Sequence, residues 1–307
     1  MADAVSLTTL RQPHRALEPR AFALEAAEEW ALEKARHLPA DRFRLTSFWY
    51  LDFIIQHAPG ERKTRYAARL AQSENYGIAF SLTSALRDVD RALSLQEADH
   101  DLVGEDCRQI LKDQRYRNDM DRTALIDLVM GHFPAVRNDH VILDKTRPEK
   151  YLLKSSLFAD EAELILGWKG SGAIKGSKPN VVVIGAMAGT IAALMARGYD
   201  VTATDMAHDV VGRNLGGVTV CHGTENLRLI QAADLAIITG MTLPNRTLPS
   251  IMEEAKTNNT STMMWAVTGK NLGPYYVAHG VDCVISDPLP FLMLPGPASI
   301  GIWRREN

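Results

Sequence analysis

Cysteine is scarce in this chain and charge is nearly balanced. Three cysteines, Cys107, Cys221 and Cys283, stand in 307 residues. An odd, widely spaced set neither frames a disulfide-stapled domain nor forms a CxxC half-site for zinc, so these read as reduced thiols. The formal net charge is −3 and no dense Lys/Arg run marks a local patch, which argues against nucleic acid as a partner. No apolar run approaches the roughly 20 residues that cross a bilayer. Met1 to Arg15 lacks the basic-then-apolar pattern of a secretory signal. The expectation is a cytoplasmic protein with no membrane partner. GxSxG, HExxH and GxxxxGK[ST] motifs are absent, which leaves hydrolase, zincin and P-loop chemistries without positive support.

What is present is the balance of a folded globular chain, 46% hydrophobic and 23% charged, long enough for one large or two modest domains. Its texture changes midway. The first half predicts helices over Glu18–Leu38, Phe48–Ile55, a stretch from Glu61 to a break at Asn75-Tyr76-Gly77, Ile78–Leu95, Glu105–Tyr116 and Asp121–Phe133. Residues 135–155 are ambiguous, with Val141-Ile142-Leu143 as a short strand, and a helix resumes at Glu161. A loose glycine-rich loop, 167–179, leads into a second half that alternates apolar β-branched runs with helical stretches. The expected fold class is α/β: a Rossmann-like, doubly wound and mainly parallel sheet over 151–307, with an amino-terminal, mainly α-helical lid domain over 1–150.

Val181-Val182-Val183-Ile184 is a continuous apolar run, the pattern of a strand covered on both faces. Gly185 and Gly189 follow, then a helical run to Arg197, a second strand over Asp200–Thr204, and Asp205 at its end. In such a unit glycine lets the backbone approach a ligand, the helix start offers unpaired N–H groups, and the acid accepts bonds from ribose hydroxyls. Gly185, Ala186, Met187, Gly189, Asp205 and Met206 are therefore candidate ligand-binding residues. Met187 stands where GxGxxG has its second glycine, which disfavours a pyrophosphate and favours an adenosine ligand without one, S-adenosylmethionine above NAD. Further strands are expected at Val218–Cys221, Leu235–Ile238, Met263–Val267 and Val281–Ile285. The turns after them form the candidate pocket wall, with Glu225 and Asn226 addressing an adenine edge.

The run IITGMTLPNRTL, Ile237 to Leu248, resembles the TGTTLVNGTL type of sequence in the DUF364 Rossmann-like family, named for heavy-metal chelation. The resemblance extends more loosely over about residues 180 to 290, including His279–Ser286. It implies that Thr239, Gly240, Thr242 and Asn245 line a pocket. Arg246 stands where the family often has glycine, a change expected to narrow or charge that pocket. The family name invites a metal, but His208, Cys221, His222, His279 and Cys283 are sparse as ligands, and core thiols beside surface histidines describe them better.

Three readings follow. The first is an enzyme that binds S-adenosylmethionine as cofactor or substrate. A sulfonium is attracted by aromatic faces, so Trp49 and Tyr50 would cover it, with Tyr76, Asp52 and Asn75 as polar candidates for the chemistry. The reaction would be methyl transfer, aminocarboxypropyl transfer, or cyclisation to azetidine-2-carboxylate with release of methylthioadenosine. The second is a metal- or metallophore-binding protein of the DUF364 type, and the third an NAD(P)-dependent oxidoreductase. Each implies a small-molecule partner, and a homo-oligomer is compatible with all of them.

Overall fold

The computed structural model describes residues 17–56, 63–82, 102–113, 118–133, 139–143, 147–167, 178–287 and 298–305. The first expected helix forms as α1 (Leu24–Ala35), burying Leu24, Ala27, Ala31 and Ala35 at helical spacing. The next three segments do not follow suit. β1 (Ser47–Gln56), β2 (Lys63–Gln72) and β3 (Tyr76–Leu82) form an antiparallel sheet in the order β1-β2-β3. The helices expected over Phe48–Ile55, from Glu61 and from Ile78 are thus corrected to strands, and residues 83–95 of the last lie outside the described residues.

Aromatic and branched residues favour the pleated conformation, and this small sheet is covered on both faces, so its strands lack a polar alternation that would mark them. One face sends Phe48, Ala67, Ala71 and Ala79 into the core shared with α1. The other packs Ala68, Ile78 and Phe80 against Val267.

α2 (Cys107–Lys112) and α3 (Asp119–Gly131) do form, each capped at its start by a side chain. Asp106 accepts from Arg108 N, and Asn118 accepts from Met120 N. α3 is buried from Met120 to Met130 because it lies under the small sheet. The two meet at Gly77, where a Cβ would collide with the Ala124 carbonyl and the Leu128 amide of α3. A buried ion pair, Arg69 Nε to Asp121 Oδ1 at 2.9 Å, crosses the same contact, and the guanidinium lies 3.8 Å from the Phe48 ring centre.

The alternation expected of the second half holds. It contains β4 (Asp139–Leu143), α4 (Arg147–Leu166), β5 (Asn180–Ile184), α5 (Ala188–Ala196), β6 (Asp200–Asp205), β7 (Asn214–Leu215), β8 (Val218–Thr219) and β9 (Cys221–His222). α6 (Asn226–Gln231), β10 (Leu235–Thr239), α7 (Leu248–Thr257), β11 (Ser261–Ala266), α8 (Gly273–Ala278), β12 (Cys283–Ser286) and β13 (Ala298–Arg304) complete it.

Eight strands make one sheet in the order β4-β13-β12-β11-β10-β5-β6-β9. From β12 to β9 every neighbouring pair is parallel, whereas β13 runs antiparallel to both β12 and β4. Counted from β5, the parallel part has the 3-2-1-4-5-6 order of a Rossmann sheet. The fold class is α/β and Rossmann-like. The division expected at residue 150 falls inside α4, and β4 before it belongs to the large sheet. The strand expected over Val218–Cys221 is split: β8 pairs back on β7 through Gly216 and Gly217, both at positive φ, and β9 alone joins the large sheet.

Candidate functional site

The strand order reverses between β5 and β10, and at such a point the loops beyond the strand ends diverge and leave a crevice. Gly185 ends β5 with φ 88°, and its N–H donates to Thr204 O at 2.9 Å. A Cβ here would lie 2.7 Å from Thr239 Cγ2, so glycine is needed because the ends of β5 and β10 pinch together. α5 then starts at Ala188 with Met187 as its N-cap and no side-chain capping bond. Across its first turn lies α4, whose Ser155 Oγ occupies the space that a Cβ on Gly189 would enter. Ala186, Met187, Met241 and Trp265 are partly buried hydrophobic residues packed on the same core. They make an apolar wall along the crevice.

Asp205 stands where expected, at the end of β6, with a different occupation. Its Oδ2 accepts from Ala186 N at 2.9 Å and its Oδ1 from Ala207 N at 2.8 Å. The carboxylate ties the glycine turn to its own turn, and burial raises its pKa against the pull of those N–H groups. The sequence, which assigned this acid to a ribose, gave no sign of the structural role.

The small sheet sits on the crevice. Phe80 N donates to Thr268 Oγ1 at 2.9 Å, and Gly269 N donates to Ile78 O at 3.1 Å. Asp127 of α3 fastens the seam, accepting from Ile78 N at 2.8 Å and Asn271 N at 2.7 Å. Lys270 Nζ lies 3.7 Å from the Tyr76 ring centre. A register row Trp49–Leu70–Ile78 places Trp49 on the crevice side of the sheet, two strands out and 55% exposed. Tyr50 belongs to the Arg69–Ala79 row of the opposite face and packs against the α1 core, which corrects its expected contact with a ligand. Asp52 pairs with Ala67, and its side chain lies outside the described residues. Asn75 turns away as well, with Nδ2 3.4 Å from His132 Nδ1.

Several other candidates hold up their own turns. Thr239 Oγ1 accepts from Met241 N, and Thr242 Oγ1 donates to Thr239 O at 2.7 Å. A Cβ on Gly240 would collide with Thr268 O. Asn245 Oδ1 accepts from Thr247 N and Oγ1, Asn226 Oδ1 accepts from Thr204 Oγ1 at 2.5 Å, and Glu225 pairs with Arg228 at 2.7 Å. Arg246 leaves the crevice: it bonds Asp119 and lies 3.0 Å from Glu25, so it neither narrows nor charges the pocket.

A polar cluster that sequence reading missed lies over β11 and β12. Asp287, immediately after β12 and wholly buried, accepts at Oδ2 from Lys154 Nζ and from Trp265 Nε1, both at 2.8 Å. Lys154 also lies 4.5 Å from the Trp265 ring centre. An acid at the end of an expected strand was a usable signal for Asp287; Lys154, from the ambiguous stretch, had none.

The metal candidates separate. His279 Nδ1 faces Tyr275 O at 2.8 Å, and Cys283 is buried beside Glu161. His208 and His222 do meet, with ring centroids 5.8 Å apart and planes 23° apart. The Met206 sulfur packs against Gly223, the residue after His222, in the space that a Cβ there would enter. His222 Nδ1 lies 3.0 Å from Thr224 Oγ1 and 3.3 Å from Thr224 N. Among the described residues no three His, Cys, Asp or Glu side chains gather as a metal cage. Nor is any described helix long and apolar enough to cross a membrane.

No curated protein matches the chain. A solved DUF364 protein of unknown function from Pyrococcus horikoshii is 13% identical, covers 92% of this chain and 99% of its own length, and superposes with a TM-score of 0.56. A second, from Desulfitobacterium hafniense DCB-2, is 12% identical, with coverages of 90% and 98% and a TM-score of 0.51. These likenesses show a shared fold. Residues 174–283, which carry the glycine turn and the IITGMTLPNRTL run, match the DUF364 family, described as "Putative heavy-metal chelation".

Proposed function

We propose that the protein binds a heavy-metal ion as a complex with a small organic chelator, held in the crevice along the strand ends. The observation that carries this reading is the His208–His222 pair, 5.8 Å between ring centroids, with the Met206 thioether packed on Gly223, next in sequence to His222. Imidazole and thioether suit soft and borderline ions such as Cu(I) and Zn(II). Two imidazoles and a thioether do not close a coordination sphere, and no third His, Cys, Asp or Glu joins them among the described residues. An ion that arrives already wrapped by a chelator fits such a half-site better than a bare ion does. His222 Nδ1 accepts from Thr224 N, so the ring would take the metal at Nε2 only after its proton moves to Nδ1, towards Thr224 Oγ1, and the bond from Thr224 N is given up. The DUF364 description of residues 174–283 supports the same reading.

The test is a competition titration of purified protein with Cu(I) and with Zn(II), each alone and with an excess of L-histidine as chelator. Wild type should retain metal better when histidine is present, and His208→Ala and His222→Ala should each lower retention about tenfold or more. Equal retention by wild type and the double alanine variant would overturn the proposal.

A further inference from the structure

The buried pair at the other end of the crevice is unfinished. Asp287 is 0% exposed, and both donors that reach it converge on Oδ2. Oδ1 is buried and has no hydrogen-bond partner. A buried carboxylate oxygen without a donor is costly, and a purely structural ion pair is stable only when its remaining lone pairs are satisfied. Position supplies the second argument. Asp287 and Trp265 stand at the carboxyl ends of adjacent strands, on the side of the reversal point opposite the histidine pair, where a Rossmann sheet holds the far half of its ligand.

We infer that this end of the crevice takes an α-amino-carboxylate zwitterion, its ammonium donating to Asp287 Oδ1 and its carboxylate set against the Lys154 ammonium. The charge pattern decides the class. Asp287 and Lys154 are of opposite sign, so an added cation or anion alone would repel one of them, whereas a zwitterion matches each member with its opposite. The half-buried Trp265 face leaves an apolar flank for the ligand's side chain. Because Oδ1 is closed to water, entry requires a side-chain rotation, and association should be slow. This deepens the proposed function, since aminocarboxylates are metal chelators, and it rests on that reading for placing a ligand in the crevice.

The experiment is thermal unfolding of the EDTA-treated full chain with each of the twenty standard amino acids at about 10 mM. At least one should raise Tm by about 2 °C or more. Its N-acetyl derivative and its methyl ester, which lack the ammonium and the carboxylate respectively, should give no shift. Lys154→Met/Asp287→Leu, an apolar replacement of the pair, should stay folded, with Tm lowered by loss of the acceptor for Trp265 Nε1, and lose the shift. The inference is overturned if no amino acid shifts the wild type, if either blocked derivative shifts it equally, or if the double variant still responds. Since the metal is removed first, failure here leaves the histidine-pair titration to stand or fall separately.

Discussion

Arg246 holds the Asp119 carboxylate through two hydrogen bonds, Nε to Oδ2 at 2.6 Å and Nη2 to Oδ1 at 2.8 Å, joining the turn after β10 to the first residue of α3. It does so from φ 61°, a left-handed conformation that glycine adopts without strain. Here a side chain that bridges the two halves accompanies the strain.

Two substitutions separate these terms. Arg246→Ala keeps the strained angle and loses the bridge, so it should cost about 0.5–1 kcal/mol. Arg246→Gly relieves the angle and should come out about 1 kcal/mol more stable than the alanine variant, near wild type, because half-exposed ion pairs contribute little. Urea unfolding of the three proteins measures the order.

Gly77→Ala should be among the most damaging single methyl additions in the chain. The new Cβ would meet the Ala124 carbonyl and the Leu128 amide, both helix backbone that cannot swing aside. A loss of about 3 kcal/mol or more is expected, read as a fall in the urea midpoint. A tolerated alanine would mean that β3 and α3 are not in this contact.

Asp205→Ala tests the structural role given to that acid. Removing it strands the Ala186 and Ala207 N–H groups, and ligand-free protein should lose about 1–3 kcal/mol. If stability is unchanged and only ligand binding suffers, the carboxylate serves the ligand after all.

Asp127 gives a pH signature to the seam. Burial pushes its carboxyl up to about 6, against the pull of Lys270 and of backbone N–H groups. An acid whose pKa is higher folded than unfolded stabilises the fold at low pH. That contribution, on the order of 2–3 kcal/mol, fades as pH rises from about 4 through about 6. The stability difference between wild type and Asp127→Asn should therefore favour wild type more at pH about 5 than at pH about 7.5. A difference that is flat with pH, measured by urea unfolding, would refute the assignment.

Local pattern made the second half legible. The apolar run 181–184, the glycine turn and the acid at 205 are neighbours in sequence and remain so in space, so periodicity and turn chemistry placed them correctly. β1 to β3 were not legible, because burial on both faces erases the alternation that distinguishes a strand from a buried helix. The same burial hid the direction of Tyr50, which register alone decides. Thr242, Asn226 and Asn245 were placed on the right loops, but their bonds run to nearby or neighbouring-strand groups that a list of polar turn residues does not show.

By itself the sequence determined a Rossmann-type unit, its glycine turn and the absence of a membrane-length apolar run, since each follows from the order of residues along a short stretch. The tertiary structure alone decided that a strand sheet covers the crevice, that His208 and His222 meet, and that Lys154 reaches Asp287 across 133 positions. Those contacts depend on strand order and register, which are settled by long-range packing of faces that many sequences could supply.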